Sequence, residues 1–171
     1  WEQGAAIPTP RRGSMGGRLV DGDGSEILWV TGGSNSNFED SLMGGIHEGY
    51  SVDTDTWRTG ASLNVPRSDH ASAVIGNSVI VAGGMVDCAT GVCNTTSMET
   101  YDPVKDQWHT GPDLLRARRG LVMVAVRDIL IAFGGMACGD DCYTVTPGLE
   151  YLKSGERLDG VEWHPIADAH V

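Results

Sequence analysis

Lysine is scarce in this chain, and positive charge as a whole is in deficit. The 171 residues include only two lysines, Lys105 and Lys153, and twelve basic residues face twenty-three acidic ones, for a formal net charge of −11. Nucleic-acid-binding domains usually have the opposite balance, and anionic lipid surfaces attract clusters of lysine and arginine. The composition therefore argues against both kinds of ligand and predicts a solvated acidic surface.

Long apolar runs and helical periodicity are also missing. No stretch of 18 apolar residues could form a transmembrane helix, and no long segment places apolar residues at a spacing of 3.6. The chain has 24 glycines, which favour turns and bulges. We find no linker, no low-complexity segment and no signal peptide, although a chain beginning inside a repeat would have lost one. These absences predict one all-β domain.

Three landmarks recur in one order at a spacing of about fifty residues. The first is a diglycine after an apolar run, the second a tyrosine and the third a tryptophan. They are Gly32-Gly33, Gly83-Gly84 and Gly134-Gly135; Tyr50, Tyr101 and Tyr151; and Trp57, Trp108 and Trp163. A period near 50 with several short strands per unit is typical of the blades of a propeller.

The middle unit has four strand signals separated by turns. Its apolar runs 71–75 and 79–82 flank a Gly76-Asn77 hairpin turn, and Asp102-Pro103 marks a second turn. This pattern resembles the kelch repeat, and the resemblance extends over nearly the whole chain. It implies an all-β propeller segment of three four-stranded kelch-type blades, and the repeated glycines, tyrosines and tryptophans are then expected to be structural. The units are 1–12 (the tail of a preceding blade), 13–65, 66–117 and 118–171. The inner strands are expected at 14–20, 70–75 and 121–126, and the second strands at 27–32, 79–83 and 129–134.

Three blades do not close a ring, since propellers usually have four to eight. Trp1 matches the end of an earlier blade, and the chain after Trp163 resembles an exit toward a later one. We expect the ring to be completed by the rest of a longer chain, by a second copy or by a partner, because bare blade faces would expose large apolar patches.

Four cysteines lie in pairs in the loops that follow two of the diglycines. Local disulfides Cys88-Cys93 and Cys138-Cys142 would place the protein in an oxidising compartment, that is, secreted, extracellular or in an organelle lumen. Reduced thiols, and with them a cytoplasmic location, are the alternative, and a zinc site is a third. Asn94 begins an Asn-Thr-Thr glycosylation sequon in the first of these loops, which favours the oxidised reading.

An arginine lies ten residues after each of Trp1, Trp57 and Trp108. Arg11, Arg67 and Arg118 occupy these positions, with Arg12 and Arg119 directly after the first and third. They fall in the connections between blades, where guanidinium groups could together bind carboxylates, as some kelch propellers bind acidic peptides. The alternative is that each arginine pairs with a nearby carboxylate, such as Asp69 or Asp113, and fixes the connection.

The loops after the diglycines differ in sequence between units, which suits protein recognition. The sequence therefore predicts a non-catalytic interaction or scaffolding module that binds a partner protein, possibly through an acidic segment, at one rim. No cofactor, metal site or catalytic residue is predicted, because the five histidines are scattered over different strands. The alternatives are a structural subunit of a larger assembly, and a fragment of a secreted kelch-type oxidase or carbohydrate-active protein.

Overall fold

The protein is built from antiparallel sheets arranged as successive blades. A computed structural model describes residues 3–35, 44–89, 91–138 and 149–166, and within these ranges every regular element is a strand. The three four-stranded sheets confirm the predicted all-β propeller segment.

Each blade is an up-and-down sheet of four strands. Blade 1 comprises β1 Met15–Val20, β2 Glu26–Thr31, β3 His47–Ser51 and β4 Thr56–Thr59. Blade 2 comprises β5 Ala71–Ile75, β6 Ser78–Ala82, β9 Met98–Asp102 and β10 Gln107–Thr110. Blade 3 comprises β11 Val122–Val126, β12 Ile129–Phe133, β15 Gly155–Leu158 and β16 Trp163–Ile166. The inner and second strands begin and end within one residue of the predicted limits.

Two short hairpins extend the connections between the second and third strands of blades 2 and 3. They are β7 Met85–Cys88 with β8 Gly91–Asn94, and β13 Met136–Ala137 with β14 Glu150–Tyr151. Tyr151 is therefore not the third-blade counterpart of Tyr50 and Tyr101, and this landmark was wrong. It is 74% exposed on its hairpin, whereas Leu158 takes the place opposite Trp163 that Tyr101 takes opposite Trp108.

The apolar cores lie between blades rather than within one sheet. One cluster joins blades 1 and 2 and includes Leu19, Ile27, Val79 and Tyr101. The other joins blades 2 and 3 and includes Ala71, Ile80, Met98, Met123 and Leu130. Because blade 2 is covered on both faces, its second strand has almost continuous apolar sequence. Burying each large side chain in these seams contributes about 1.5–3 kcal/mol, so stability depends on neighbouring blades.

The second glycine of the first two diglycines lies against the connection that leads into the next blade. The Gly33 nitrogen donates to the Arg67 carbonyl at 2.8 Å, and the Gly84 nitrogen donates to the Arg118 carbonyl at 2.8 Å. Gly84 has a φ of +97°, and a β-carbon there would lie 2.5 Å from the Ser68 carbonyl oxygen. Only glycine permits this approach.

Candidate functional site

The connections between blades and the loops after the diglycines meet at one end of the propeller. Backbone bridges join Arg12 to Ser34, Ser68 to Met85 and Arg119 to Met136, one bridge for each blade. We call this end the loop rim. The turns between the first and second strands and between the third and fourth strands lie at the opposite end, because the strands of each blade alternate in direction.

Arg67 enters the interior of blade 2 instead of facing the rim. Its Nη1 donates to the carbonyls of Gly83 at 3.0 Å and Ser97 at 2.7 Å, and its Nε donates to the Val65 carbonyl at 3.2 Å. Its Nη2 donates to the Ser97 hydroxyl at 2.8 Å and to Glu99 Oε1 at 3.0 Å. All five donors of this guanidinium group are thus used by the chain itself.

The same arrangement recurs in blade 3 and, with different carbonyls, in blade 1. Arg118 donates to the carbonyls of Gly134 and Ser154, each at 3.0 Å, and to Glu156 at 2.7 Å. Arg11 donates to the Gly32 and Val30 carbonyls, each at 2.8 Å, and pairs with Glu48. Burial lowers the pKa of Arg67 and of Arg118, and the paired glutamates oppose that shift.

This geometry corrects the predicted anion site at three of its five arginines. The side chains of Arg11, Arg67 and Arg118 are at most 1% exposed, so a partner's carboxylate cannot reach them. Pairing with carboxylates was the alternative, but the partners are Glu48, Glu99 and Glu156, not Asp69 or Asp113. The sequence signal for the first two glutamates was present and was missed, since each lies two residues before the repeated tyrosine.

The glutamates also hold the connection that leads into their own blade. Glu99 accepts from the backbone nitrogens of Asn64 at 2.8 Å and Val65 at 3.0 Å, and Glu156 accepts from the Leu115 nitrogen at 2.7 Å. Each of these two carboxylates also accepts from the arginine of its pair. Each arginine–glutamate pair therefore clamps a connection onto its blade.

The other two arginines of the predicted row do lie at the loop rim. Arg12 is exposed, and Arg119 is half-buried with its guanidinium against the Met85 sulfur. Ser68 occupies the equivalent place in blade 2, where its backbone pairs with Met85. The rim thus has two arginines in register with one serine between them.

Comparison with known proteins supports the repeat architecture. The Kelch motif family model matches residues 66–115. The chain is 31% identical over 121 residues to the kelch repeat-containing protein kel-10 of Caenorhabditis elegans, a match that covers 70% of this chain and 19% of kel-10. It is 29% identical over 103 residues to the F-box/kelch-repeat protein At1g74510 of Arabidopsis thaliana, which covers 60% of this chain and 22% of that protein. The chain belongs to the kelch-repeat family.

The solved structure of YjhT has the same fold, with a TM-score of 0.77 and 18% sequence identity, over 99% of this chain and 55% of YjhT. The kelch chain spans about a fifth of the length of its curated relatives. Kelch repeats commonly mediate protein–protein interaction. In the described part of the chain, no helix is long and apolar enough to cross a membrane.

One of the two predicted disulfides is present in this kelch segment. Cys88 and Cys93 are joined across the β7–β8 hairpin, with their α-carbons 6.0 Å apart. Cys142 lies outside the described residues, so the Cys138-Cys142 disulfide stays a prediction. The side-chain nitrogen of Asn94 donates to the Met136 carbonyl at 2.8 Å, and this half-buried side chain ties the hairpin to blade 3. Glycosylation of Asn94 stays a prediction.

Two histidines are enclosed in the seam between blades 1 and 2. His47 contacts the Thr31 hydroxyl at 2.7 Å through Nδ1, and neither ring nitrogen of His70 has a hydrogen-bond partner among the described residues. Burial lowers the pKa of each to about 3, so both are neutral at physiological pH. Among the residues that the structure describes, no three histidine, cysteine, aspartate or glutamate side chains are placed to hold a metal ion.

Proposed function

We propose that this chain is a non-catalytic protein-recognition segment of a kelch propeller and that it binds its partner at the loop rim. The observation that carries the proposal is the division between a repeated frame and a variable rim. The arginine–glutamate clamps, the diglycines and the backbone bridges repeat in each blade, whereas the loops that follow the diglycines differ in sequence. A rigid scaffold that presents divergent loops suits recognition of another protein.

The β7–β8 hairpin is the rim element that we expect to make such contact. Its disulfide limits the conformations that it can adopt, and the Asn94 hydrogen bond fixes its orientation against blade 3. A preorganised loop loses little conformational entropy when a partner binds. An acidic segment of the partner would be attracted to Arg119, whose guanidinium group lies against Met85 of this hairpin, and to Arg12 at the equivalent position of blade 1. The disulfide also supports placement in an oxidising compartment.

A charge reversal at the rim tests the proposal. Arg12→Glu is expected to weaken binding of a partner identified by affinity purification at least tenfold, because it replaces attraction of an acidic segment by repulsion. The matched control is Arg157→Glu, which alters an exposed arginine of β15 that pairs with Asp159 away from the rim. If Arg12→Glu and Arg157→Glu bind the partner equally well and their urea midpoints are unchanged, the loop rim is not the binding surface.

The alternative of a structural subunit has one observation in its favour. Val122, Val124 and Val126 of β11 are 63%, 46% and 51% exposed, whereas Ala71 and Ala73, at the equivalent places in blade 2, are buried against blade 3. This face has the composition of a seam. Light scattering on the 171-residue chain tests it: a mass above 18.2 kDa that falls in a Val124→Asp variant would support assembly through this face.

A further inference from the structure

A cleft of about 240 Å³ lies between blades 1 and 2, toward the end opposite the loop rim. Its walls are the turn after β1, the end of β4 and the turn between β9 and β10. The residues that give it chemical character are Asp21, Asp23, Trp29, Arg58, Tyr101 and Asp106.

One guanidinium group, from Arg58, already occupies this cleft. Its Cζ lies 5.0 Å from the centroid of the Trp29 ring, and it forms an ion pair with Asp21. The other face of Trp29 stacks on His47 at a centroid distance of 4.0 Å, which fixes the indole. The Arg58 side chain is nevertheless 48% exposed, so it can leave for solvent. The cleft is therefore shaped and charged for a guanidinium group that the chain does not hold rigidly.

Two buried polar atoms in the cleft lack a partner among the described residues. They are Asp21 Oδ1, on a side chain that is 7% exposed, and Trp29 Nε1, on a residue that is 2% exposed. Folded proteins rarely leave such atoms unpaired, because each costs roughly 1–3 kcal/mol. A ligand that reaches Asp21 would satisfy the first atom.

The next seam shows that the propeller frame does not require these residues. Trp29 and Ile80 each lie three residues before the diglycine of their blade, so Ile80 is the blade 2 counterpart of Trp29. Arg58 directly follows Trp57 and His109 directly follows Trp108, so His109 is the counterpart of Arg58. Leu158 takes the place of Tyr101. The seam between blades 2 and 3 thus has isoleucine, histidine and leucine where the first seam has Trp29, Arg58 and Tyr101, so a seam can form without the arginine and the indole of the cleft.

The net charge of the chain fits a basic ligand. The three buried clamps use three of the twelve basic and three of the twenty-three acidic residues, which leaves nine basic and twenty acidic side chains. Asp23 and Asp106 add negative charge to the cleft beyond Asp21. Such a field favours approach of a cation.

We propose that this cleft is a recognition site for an arginine side chain in a basic segment of a partner protein. The incoming guanidinium group stacks on Trp29 and binds Asp21, and Arg58 occupies the same place when no partner is bound. This site is separate from the loop rim and extends the proposed function to a second surface with the opposite charge preference.

Arg58→Ala tests the proposal, because it empties the cleft. The probe is Nα-acetyl-L-arginine amide, and its neutral counterpart of nearly equal shape is Nα-acetyl-L-citrulline amide. Binding is followed through the Trp29 indole N–H signal in nitrogen-15 NMR spectra, assigned with Trp29→Phe. Arg157→Ala is the matched control, since it also removes an exposed arginine paired with an aspartate. Arg58→Gln, which keeps the aliphatic stem, serves if the alanine variant is unstable.

We expect Arg58→Ala to bind the arginine probe about tenfold more tightly than the unaltered chain, because the internal competitor is gone. Asp21→Asn in the same background is expected to abolish binding, and citrulline is not expected to shift the Trp29 signal. Equal response to arginine and citrulline would overturn the proposal. So would equal affinity in the Arg58→Ala and Arg157→Ala variants. Arg12→Glu at the loop rim leaves this titration unchanged, so failure here and failure of the rim proposal are distinguishable.

Discussion

His70 provides the sharpest test of how the blades are held together. Its ring lies against Gly32 of blade 1, where a β-carbon would come within 2.7 Å of His70 Cε1. Leu121 takes the equivalent place in the next seam, against Gly83. His70→Leu therefore replaces a buried polar ring by a side chain that the same architecture already accommodates. At pH 7 we expect the variant to be more stable by about 1–2 kcal/mol, because two unpaired ring nitrogens are removed from the interior.

The pH dependence gives a second and larger signal. Burial, reinforced by the charge of Arg67, lowers the pKa of His70 from 6.5 to about 3 in the folded state. The unfolded chain therefore binds a proton at His70 below pH 6.5, whereas the folded chain does not until about pH 3. The free energy of unfolding consequently falls as the pH drops through this window, by about 1.4 kcal/mol per pH unit. Between pH 6.5 and pH 5 the loss due to His70 amounts to about 2 kcal/mol.

Urea denaturation at pH 7 and at pH 5 measures this effect. His47 and the carboxylates also titrate, but they do so in both proteins and cancel in the difference. The stability advantage of His70→Leu should thus grow by about 2 kcal/mol between the two pH values. His109→Leu, at an exposed position on β10, is the control for replacing a histidine by leucine outside the seam. If the difference in unfolding free energy between His70→Leu and the unaltered chain is the same at pH 7 and at pH 5, His70 is not an enclosed, neutral histidine.

Three further predictions concern the arginine–glutamate clamps, the diglycines and the disulfide. Glu99→Gln leaves Arg67 buried without its counter-charge and should lower the free energy of unfolding by about 3–5 kcal/mol. The control is Asp159→Asn, which breaks an exposed pair with Arg157 and should change the urea midpoint little. Gly84→Ala should lower the free energy of unfolding by about 3 kcal/mol or more, because the new β-carbon would meet the Ser68 carbonyl. Gly76→Ala, which has open space around its β-carbon, should lower it by about 1 kcal/mol. Chemical denaturation of the two variants measures the difference. Peptide mapping without reductant should recover Cys88 and Cys93 in one linked peptide, and separate peptides would contradict the disulfide.

The repeat pattern was sufficient to predict the blades, because strand geometry depends on local alternation and on turn residues. It placed the inner and second strands to within a residue. It failed at Tyr151, where a longer insertion after Gly135 moves the third strand of blade 3 to β15. A landmark residue type cannot distinguish a strand of the blade from a strand of an inserted hairpin. The strand pairing, in which Leu158 faces Trp163, is a property of the folded sheet.

The arginines show a different limit of sequence analysis. Their register was apparent, but register does not indicate which way a side chain turns. Arg11, Arg67 and Arg118 turn inward because carbonyl groups and a glutamate of their own blade meet there, and most of those groups lie 16 to 38 residues away along the chain. The adjacent Arg12 and Arg119 remain at the rim. Only the three-dimensional arrangement separates the clamps from candidate contact residues.

Repetition itself separates residues that hold the frame from residues available for recognition. The indole nitrogen of each outer-strand tryptophan donates to a carbonyl of the connection entering its blade: Trp57 to Ala5 and Trp108 to Ala61 at 2.8 Å, and Trp163 to Pro112 at 2.9 Å. A contact made three times with one geometry is explained by the blade. Among the described residues, neither the Trp29 indole nitrogen nor Asp21 Oδ1 in the same cleft has a hydrogen-bond partner. The next blade has isoleucine, Ile80, at the place of Trp29. Because the repeated hydrogen bond is absent at Trp29, and because Trp29 lines the cleft that holds Arg58, the seam between blades 1 and 2 is where a ligand is to be sought.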